Sequence, residues 1–230
     1  MFAEAARSLV GPGSVEQILQ RVVELATGTV DGAAMAGVTA VRRDGTVETP
    51  AYTDDLVLEV DRAQGDFAEG PCLEASIEDK VLWIEDMAQE QRWPRFAKRA
   101  QELGIRSMVA CSLVADHGGR SALNLHASEP AAFDETAVEI ASILAAHSSV
   151  ALNQAGLAES MRSAMASRQA IGEATGILME RYRTDSRQAF EMLAKASQNL
   201  NVKLRLVAEH VVLTGQNPLE ITERDLPRRA

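Results

Sequence analysis

The sequence predicts an α+β domain followed by an all-α module. Three observations predict it. Five of the seven prolines and eleven of the fifteen glycines fall within residues 1–130, so the front part is cut into short elements. Behind them runs a stretch rich in Ala, Leu, Met and Arg and poor in breakers, which is a helical composition. The charge divides in nearly the same place. Residues 1–159 hold 12 Lys/Arg against 25 Asp/Glu, a balance of −13, and residues 160–230 hold 11 against 8, a balance of +3, within a formal net charge of −10. Parts of opposite charge imply different partners.

In the front part, Ser14 can cap a helix from Val15 to about Ala26, with Val15, Ile18, Leu19, Val22 and Val23 on one face. Ala33–Val41 and Thr46–Tyr52 read as strands joined by the turn Arg42-Arg43-Asp44-Gly45, a hairpin. Asp54–Asp66 has helical spacing at Leu56, Val57 and Val60. Val81–Ile84 reads as a short strand, and Trp93–Leu103 as a helix stopped by Gly104. Ser107–Val114 and Arg120–Ala127 form a second hairpin across Asp116-His117-Gly118-Gly119. This order implies an antiparallel sheet with flanking helices.

From Asp134 the pattern is helical. Ile143, Val150, Leu157, Ala164, Ile171 and Leu178 recur every seventh residue. The companion positions Ile140, His147, Gln154, Met161, Arg168 and Thr175 are mostly polar. One apolar seam beside a poor one predicts a long connecting helix that pairs with a second copy over part of its length, through Ile143, Val150, Leu157 and Met161; the alternative is a helix packed on its own domain. Thr184-Asp185-Ser186 then caps a helix over about 187–199 with Ala189, Phe190, Leu193, Ala194 and Ala196 apolar. A last helix over about 203–214 turns Leu204, Val207, Val211 and Val212 inward and stops at Gly215. The tail, residues 216–230, is expected to fray.

Several function classes are excluded or left empty. No apolar run approaches the roughly 18–20 residues of a membrane span, and the first residues lack a secretory pattern, so a cytoplasmic protein with no membrane partner is expected. The two cysteines, Cys72 and Cys111, lack metal-type spacing, and a lone buried Cys is usually core packing. His117 and His126 are lone histidines, read the same way. Glycine-rich phosphate loops and catalytic triads or carboxylate pairs of defensible spacing are missing, so neither catalytic nor metal-binding residues are assigned.

Two blocks are more specific than their periodicity. Ile171-Gly172-Glu173-Ala174-Thr175-Gly176-Ile177-Leu178-Met179-Glu180-Arg181-Tyr182, continuing through Ala189-Phe190, Leu193, Ser197-Gln198-Asn199-Leu200-Asn201-Val202-Lys203-Leu204 and Val207-Ala208, resembles the ANTAR family of three-helix RNA-binding modules. Glu69-Gly70-Pro71-Cys72-Leu73-Glu74-Ala75, Arg92-Trp93-Pro94-Arg95-Phe96, Leu103-Gly104-Ile105-Arg106-Ser107, Ala122-Leu123-Asn124-Leu125-His126 and Ala132-Phe133-Asp134 resemble the GAF domains fused ahead of ANTAR modules in actinobacterial regulators. The resemblance implies a GAF sensor domain over residues 14–155 and an ANTAR module over 156–215. It implies a dimeric transcription antitermination regulator, without enzymatic activity, whose two modules hold paired hairpins in nascent mRNA. A small molecule in the GAF pocket, or a protein, would bring an unidentified signal. Such a pocket would lie on one side of the sheet with helices on the other.

The charge pattern agrees with an RNA partner. Segment 162–205 carries eight Lys/Arg against four Asp/Glu, and neutralised phosphates release counterions that supply much of the affinity. The expected RNA-binding residues are Arg168, Thr175, Gly176, Arg181, Arg183, Lys195, Asn201, Lys203 and Arg205. Aromatics are scarce there, which excludes a stacking sheet and leaves recognition by shape and phosphate. Gly176 reads either as a close approach of RNA backbone or as close helix packing beside Ala166, Ala170 and Ala174. Family members often carry Lys where this sequence has Thr175, which removes a charge from that position. The rival reading is a DNA-binding transcriptional regulator with a GAF sensor, but the last helix offers few side chains for reading base edges.

Overall fold

The computed structural model describes residues 13–42, 44–78, 80–114, 120–222 and 224–226. The chain forms two compact units, residues 1–157 and 158–230.

The first unit is built on a five-stranded antiparallel sheet. Its strands are β1 (Met35–Val41), β2 (Val47–Tyr52), β3 (Val81–Ile84), β4 (Ser107–Val114) and β5 (Arg120–Ala127), in the order β2-β1-β5-β4-β3. Both expected hairpins are present. Arg43 and the turn 116–119 lie outside the described residues. Helix α1 (Val15–Thr29) starts at a full capping box. Ser14 Oγ accepts from Gln17 N, and Gln17 Oε1 accepts from Ser14 N. It runs a turn past the sequence expectation because Ala26 is also buried.

Alternation along the strands sorts side chains to two faces. Ala36, Val38, Val109, Cys111, Leu113, Leu123 and Leu125 share one apolar core with α1 and with Phe133 to Ala155 at the start of helix α5 (Glu135–Tyr182). The other face meets α2 (Asp55–Phe67), α3 (Pro71–Glu78) and α4 (Pro94–Glu102). Helices therefore cover both faces, including the one expected to hold a pocket. Gly37 explains how closely α2 lies on the sheet: a Cβ there would overlap Val57 Cγ1.

Helix α3 was not expected from the sequence. It is a short run behind Pro71 whose burial comes from tertiary packing. The segment around it accounts for two of the quoted motifs. Glu69 Oε1 accepts from the backbone N–H of Arg95 (2.6 Å) and Phe96 (3.0 Å), so it caps α4, where Trp93 supplies no side-chain cap. The Arg95 guanidinium closes on Glu69 Oε2 at 3.2 Å. Gly70, at φ +147, lies against Gln64, whose side chain a Cβ would hit. The Glu-Gly-Pro-Cys and Trp-Pro-Arg-Phe blocks thus form a single clasp.

In the second unit, residues 158–182 of α5 pack with α6 (Ser186–Leu200) and α7 (Leu204–Thr214) around Ala174, Leu178, Ala189, Leu193, Ala196, Val207, Ala208 and Val211. Asp185 caps α6 through Gln188 N at 2.8 Å. Gly215 ends α7 at φ +68. Phe190, one of the apolar positions of this helix, is 44% exposed. The tail does not fray throughout: Pro218–Glu220 forms a 3₁₀ turn, and Ile221 and Leu226 are buried in this core. Two apolar residues at suitable spacing outweigh the charges around them.

The seam of sevens does not stay on one face. Ile143, Val150 and Leu157 are 46%, 57% and 51% exposed, whereas Leu178 is fully buried. An α-helix drifts about 20° per heptad, so five heptads rotate the row by roughly 100°. The row leaves solvent at one end and enters the second unit's core at the other.

Candidate functional site

The expected RNA-binding residues fall into three groups. Arg168 and Thr175, seven residues apart, lie on one side of α5 about two turns apart. Arg168 is exposed; Thr175 is half-buried, and its hydroxyl donates to Ile171 O at 2.7 Å. Lys195 stands exposed on α6. Asn201, Lys203 and Arg205 gather at the α6–α7 turn. Asn201 adopts φ +50 as the C-cap of α6, and Lys203 is the N-cap of α7 without a side-chain cap bond. The positive end of the α7 helix dipole adds positive potential beside Lys203. Ser197 Oγ ties this turn by donating to Val202 O at 2.7 Å.

Availability differs among the cations. Arg168, Lys195 and Lys203 make no ion pair among the described residues. Arg183, at φ +51, pairs with Glu180 at 3.2 Å, and Arg205 with Glu209 at 3.6 Å. Exposed pairs of this kind are weak and open readily to phosphate.

Gly176 belongs to a different surface. A one-residue step along the helix turns it 100° from Thr175, into an open groove lined by Glu173, Gly176, Ile177, Glu180, Arg181 and Val212. A Cβ on Gly176 or Gly172 would meet nothing within 4 Å. Close packing within the chain therefore does not explain either glycine, and two carboxylates make the groove unfavourable for phosphate. Arg181 reaches the end of α7, with Nη2 2.8 Å from where a Cβ of Gly215 would lie.

The proposed pairing residues are all accessible, Met161 being 58% exposed beside the three already described. The first unit holds a feature the sequence reading missed. Thr39, Asp61, Gln64, Cys72, Asn124 and His126 are buried on the α2–α3 face of the sheet. Asp61 Oδ2 accepts from Thr39 Oγ1 (2.7 Å) and Thr49 Oγ1 (2.8 Å), and Oδ1 from Gln64 Nε2 (3.3 Å). Asn124 Nδ2 donates to Thr39 Oγ1 at 2.6 Å, and Gln64 Oε1 accepts from Cys72 N at 2.9 Å. Burial pushes the Asp61 carboxyl up to about 6 despite these donors. It pushes the Cys72 thiol well up, lifts Cys111 to about 12 and drops His126 to about 4. Both thiols stay protonated, which removes the reactivity a redox sensor needs. Polar residues at 124 and 126, alternating with Leu123 and Leu125 on a central strand, were the available signal. His117 lies outside the described residues.

Among the described residues no helix is long and apolar enough to cross a membrane, and no group of three His, Cys, Asp or Glu could hold a metal ion.

The GAF domain model matches residues 13–153, and the ANTAR domain model matches residues 159–212. No curated protein matches the chain. Solved structures share the fold of the first unit. The bacteriophytochrome from the photosynthetic bacterium R. palustris is 12% identical, with 77% of this chain and 42% of that one covered at a TM-score of 0.61. The Stigmatella aurantiaca phytochrome photosensory core module is 12% identical, covering 89% and 45% at 0.59. The blue-light absorbing form of the Thermosynechococcus elongatus PixJ GAF domain is 16% identical, covering 65% and 91% at 0.51. The chain thus spans less than half of either phytochrome. With a family match over well more than half its length and a second directly behind it, the chain belongs to the GAF-domain family and carries an ANTAR domain at its C-terminal end.

Proposed function

We propose that the chain is a signal-responsive regulator of transcription antitermination that acts in the cytoplasm by holding paired hairpins of nascent mRNA. The observation that carries this reading is the ANTAR domain over residues 159–212, set in a unit whose Arg168, Lys195 and Lys203 stand exposed and, among the described residues, without an ion pair. GAF and ANTAR domains are regulatory rather than catalytic, so the chain binds and does not turn over substrate. The RNA surface comprises Arg168 and Thr175, Lys195, and the turn of Asn201, Lys203 and Arg205, with Arg181 and Arg183 beyond them. Gly176, between two glutamates, stands outside it. Two modules reach two hairpins when the exposed residues Ile143, Val150, Leu157 and Met161 pair in a homodimer. The GAF domain supplies the response to a small-molecule or protein signal.

The test is binding of the full chain to an RNA with two tandem hairpins across a salt series, beside a single hairpin and duplex DNA. Arg168→Gln with Lys203→Gln removes two phosphate contacts and should flatten the slope of log K against log salt by about 1.5. An unchanged slope, or a preference for duplex DNA, overturns the assignment.

A further inference from the structure

We propose that the cleft between the end of β4 and the first turns of α5 binds a small aliphatic carboxylate, its head at Lys80 and its body against Val81, Val114, Ala145 and Ala146. This rests on the reading of the first unit as the part that takes a small-molecule signal, and gives that signal a chemical class and a place.

The cleft follows from a mismatch in strand length. β3 pairs with β4 only over Val81–Ile84, opposite Cys111 to Met108. Ser112, Leu113 and Val114 carry β4 past the start of β3, so this end of β4 has no strand on its outer side among the described residues. Ser112 N still donates to Lys80 O at 3.2 Å, which fixes Lys80 at the rim. Helix α5 crosses the same place. Ser149 Oγ accepts from Val114 N at 3.0 Å and donates to Ala145 O at 2.9 Å, which pins the end of β4 to the helix. Ser142, Ala145, Ala146 and Ser149 fall at i, i+3, i+4 and i+7, on one side of α5. Small side chains there leave a space of about 340 Å³. Small-molecule pockets span roughly 300–1,000 Å³.

The lining has two chemistries. Val81, Val114, Ala145 and Ala146 make an apolar wall, and Val81 and Val114 remain 40% and 49% exposed beside it. Lys80, Ser112, Ser142 and Ser149 make a polar part. The side chains of Ser112 and Ser142 are half-buried and make no hydrogen bond among the described residues, which leaves two hydroxyl donors for an oxygen-rich head. Burial lifts the Cys111 thiol to about 12, so it brings no negative charge to the cleft. Residues 1–159 carry a balance of −13, yet among the described residues no carboxylate lines this space. A cation in a partly dry cleft without a carboxylate beside it favours an anion. Inorganic phosphate would use only the polar part and a neutral alcohol only the wall; an aliphatic carboxylate uses both.

The place matters as much as the chemistry. Ser142 and Ser149 each precede a residue of the exposed row, Ile143 and Val150. An occupant therefore bears on α5 beside the face proposed to pair with a second copy.

The experiment titrates the full chain at neutral pH with hexanoate, 1-hexanol and inorganic phosphate, read by amide NMR shifts and calorimetry. We expect hexanoate to saturate, with shifts centred on residues 80–81, 111–114 and 142–149, and the other two probes to bind at least about tenfold more weakly. Lys80→Gln removes a charge-assisted bond and should weaken hexanoate about tenfold. Ala146→Leu fills the cleft from an exposed helical position and should abolish binding with far-UV circular dichroism unchanged. If Ala146→Leu does not fold, Lys80→Gln carries the test. Equal binding of 1-hexanol overturns the anion, and equal binding of phosphate overturns the aliphatic body. Failure to saturate, or affinity unchanged in Lys80→Gln, overturns the site. Shifts centred on α2–α4 also overturn it, while leaving the first unit a small-molecule sensor. None of these readouts uses RNA, so failure of the RNA reading leaves them intact. Hairpin affinity with and without hexanoate is a separate arm: saturation without a change in affinity supports the site and overturns its use as the regulator's input.

Discussion

Gly172 and Gly176 sit in the interior of α5 with nothing within 4 Å of a hypothetical Cβ. Each glycine disfavours a helix by about 0.8–1 kcal/mol relative to alanine. No packing term opposes the added methyl, so Gly172→Ala with Gly176→Ala should stabilise the second unit by about 1.5–2 kcal/mol. That unit spans residues 158–230. At roughly 2.1 cal/mol/K of unfolding entropy per residue, about 70 residues give about 150 cal/mol/K, so the pair should raise its Tm by about 10–13 °C. The assay is calorimetry of the full chain, with the transition of the second unit identified through its loss in Leu178→Ala. Hairpin binding by the same variant should stay within about twofold, because Glu173 and Glu180 border Gly176. An unchanged or lower Tm would refute the open-surface argument. A higher Tm with binding lost would place RNA backbone against Gly176 after all.

Leu178→Ala removes a fully buried side chain from the core of the second unit and should destabilise it by about 3–5 kcal/mol, read by denaturant titration. Glu69→Ala removes the acceptor for two N–H groups of α4 and should lower the first unit's stability by about 1–2 kcal/mol, while Glu69→Gln recovers part of it. Gly37→Ala drives a methyl into Val57 and should be destabilising by about 1–3 kcal/mol, with Val57→Ala as the compensating change. Val150→Lys places a charge in the exposed row and should shift sedimentation equilibrium towards monomer while leaving far-UV circular dichroism unchanged.

Where local rules act alone, the sequence is legible. The Ser14 capping box, the hairpin spacings, the helix start at Asp185 and the stop at Gly215 are each decided within a few residues, and each element stands within a few residues of its expected place. Tertiary terms decide the rest. Helix α3 is too short for a periodic signal, and the tail is held by Ile221 and Leu226 meeting a core assembled from other helices. Glu69 as the cap of α4 joins residues 26 and 27 positions apart. No window-based pattern contains such a pair.

The candidate site divides along the same line. Lys203 and Arg205 at a helix start, and Arg168 on an exposed face, follow from sequence because exposure of a cation is its default state. Gly176 stands apart from Thr175 because adjacency in sequence is not adjacency on a helix. Residues 175 and 176 point 100° apart, and the neighbours that matter to Gly176 are Glu173 at i−3 and Glu180 at i+4. The row of sevens misleads for a related reason. A strict heptad marks a continuous seam only if the helix supercoils around a partner along the whole row. In α5 the row is free to meet a partner at Ile143, Val150 and Leu157 and is consumed by the module's own core at Leu178. A pairing helix that reached Leu178 would have to take it out of that core at about 3–5 kcal/mol. In the proposed homodimer the same residue spacing would serve two different contacts, and the pairing would have to end before the C-terminal module begins to pack on itself.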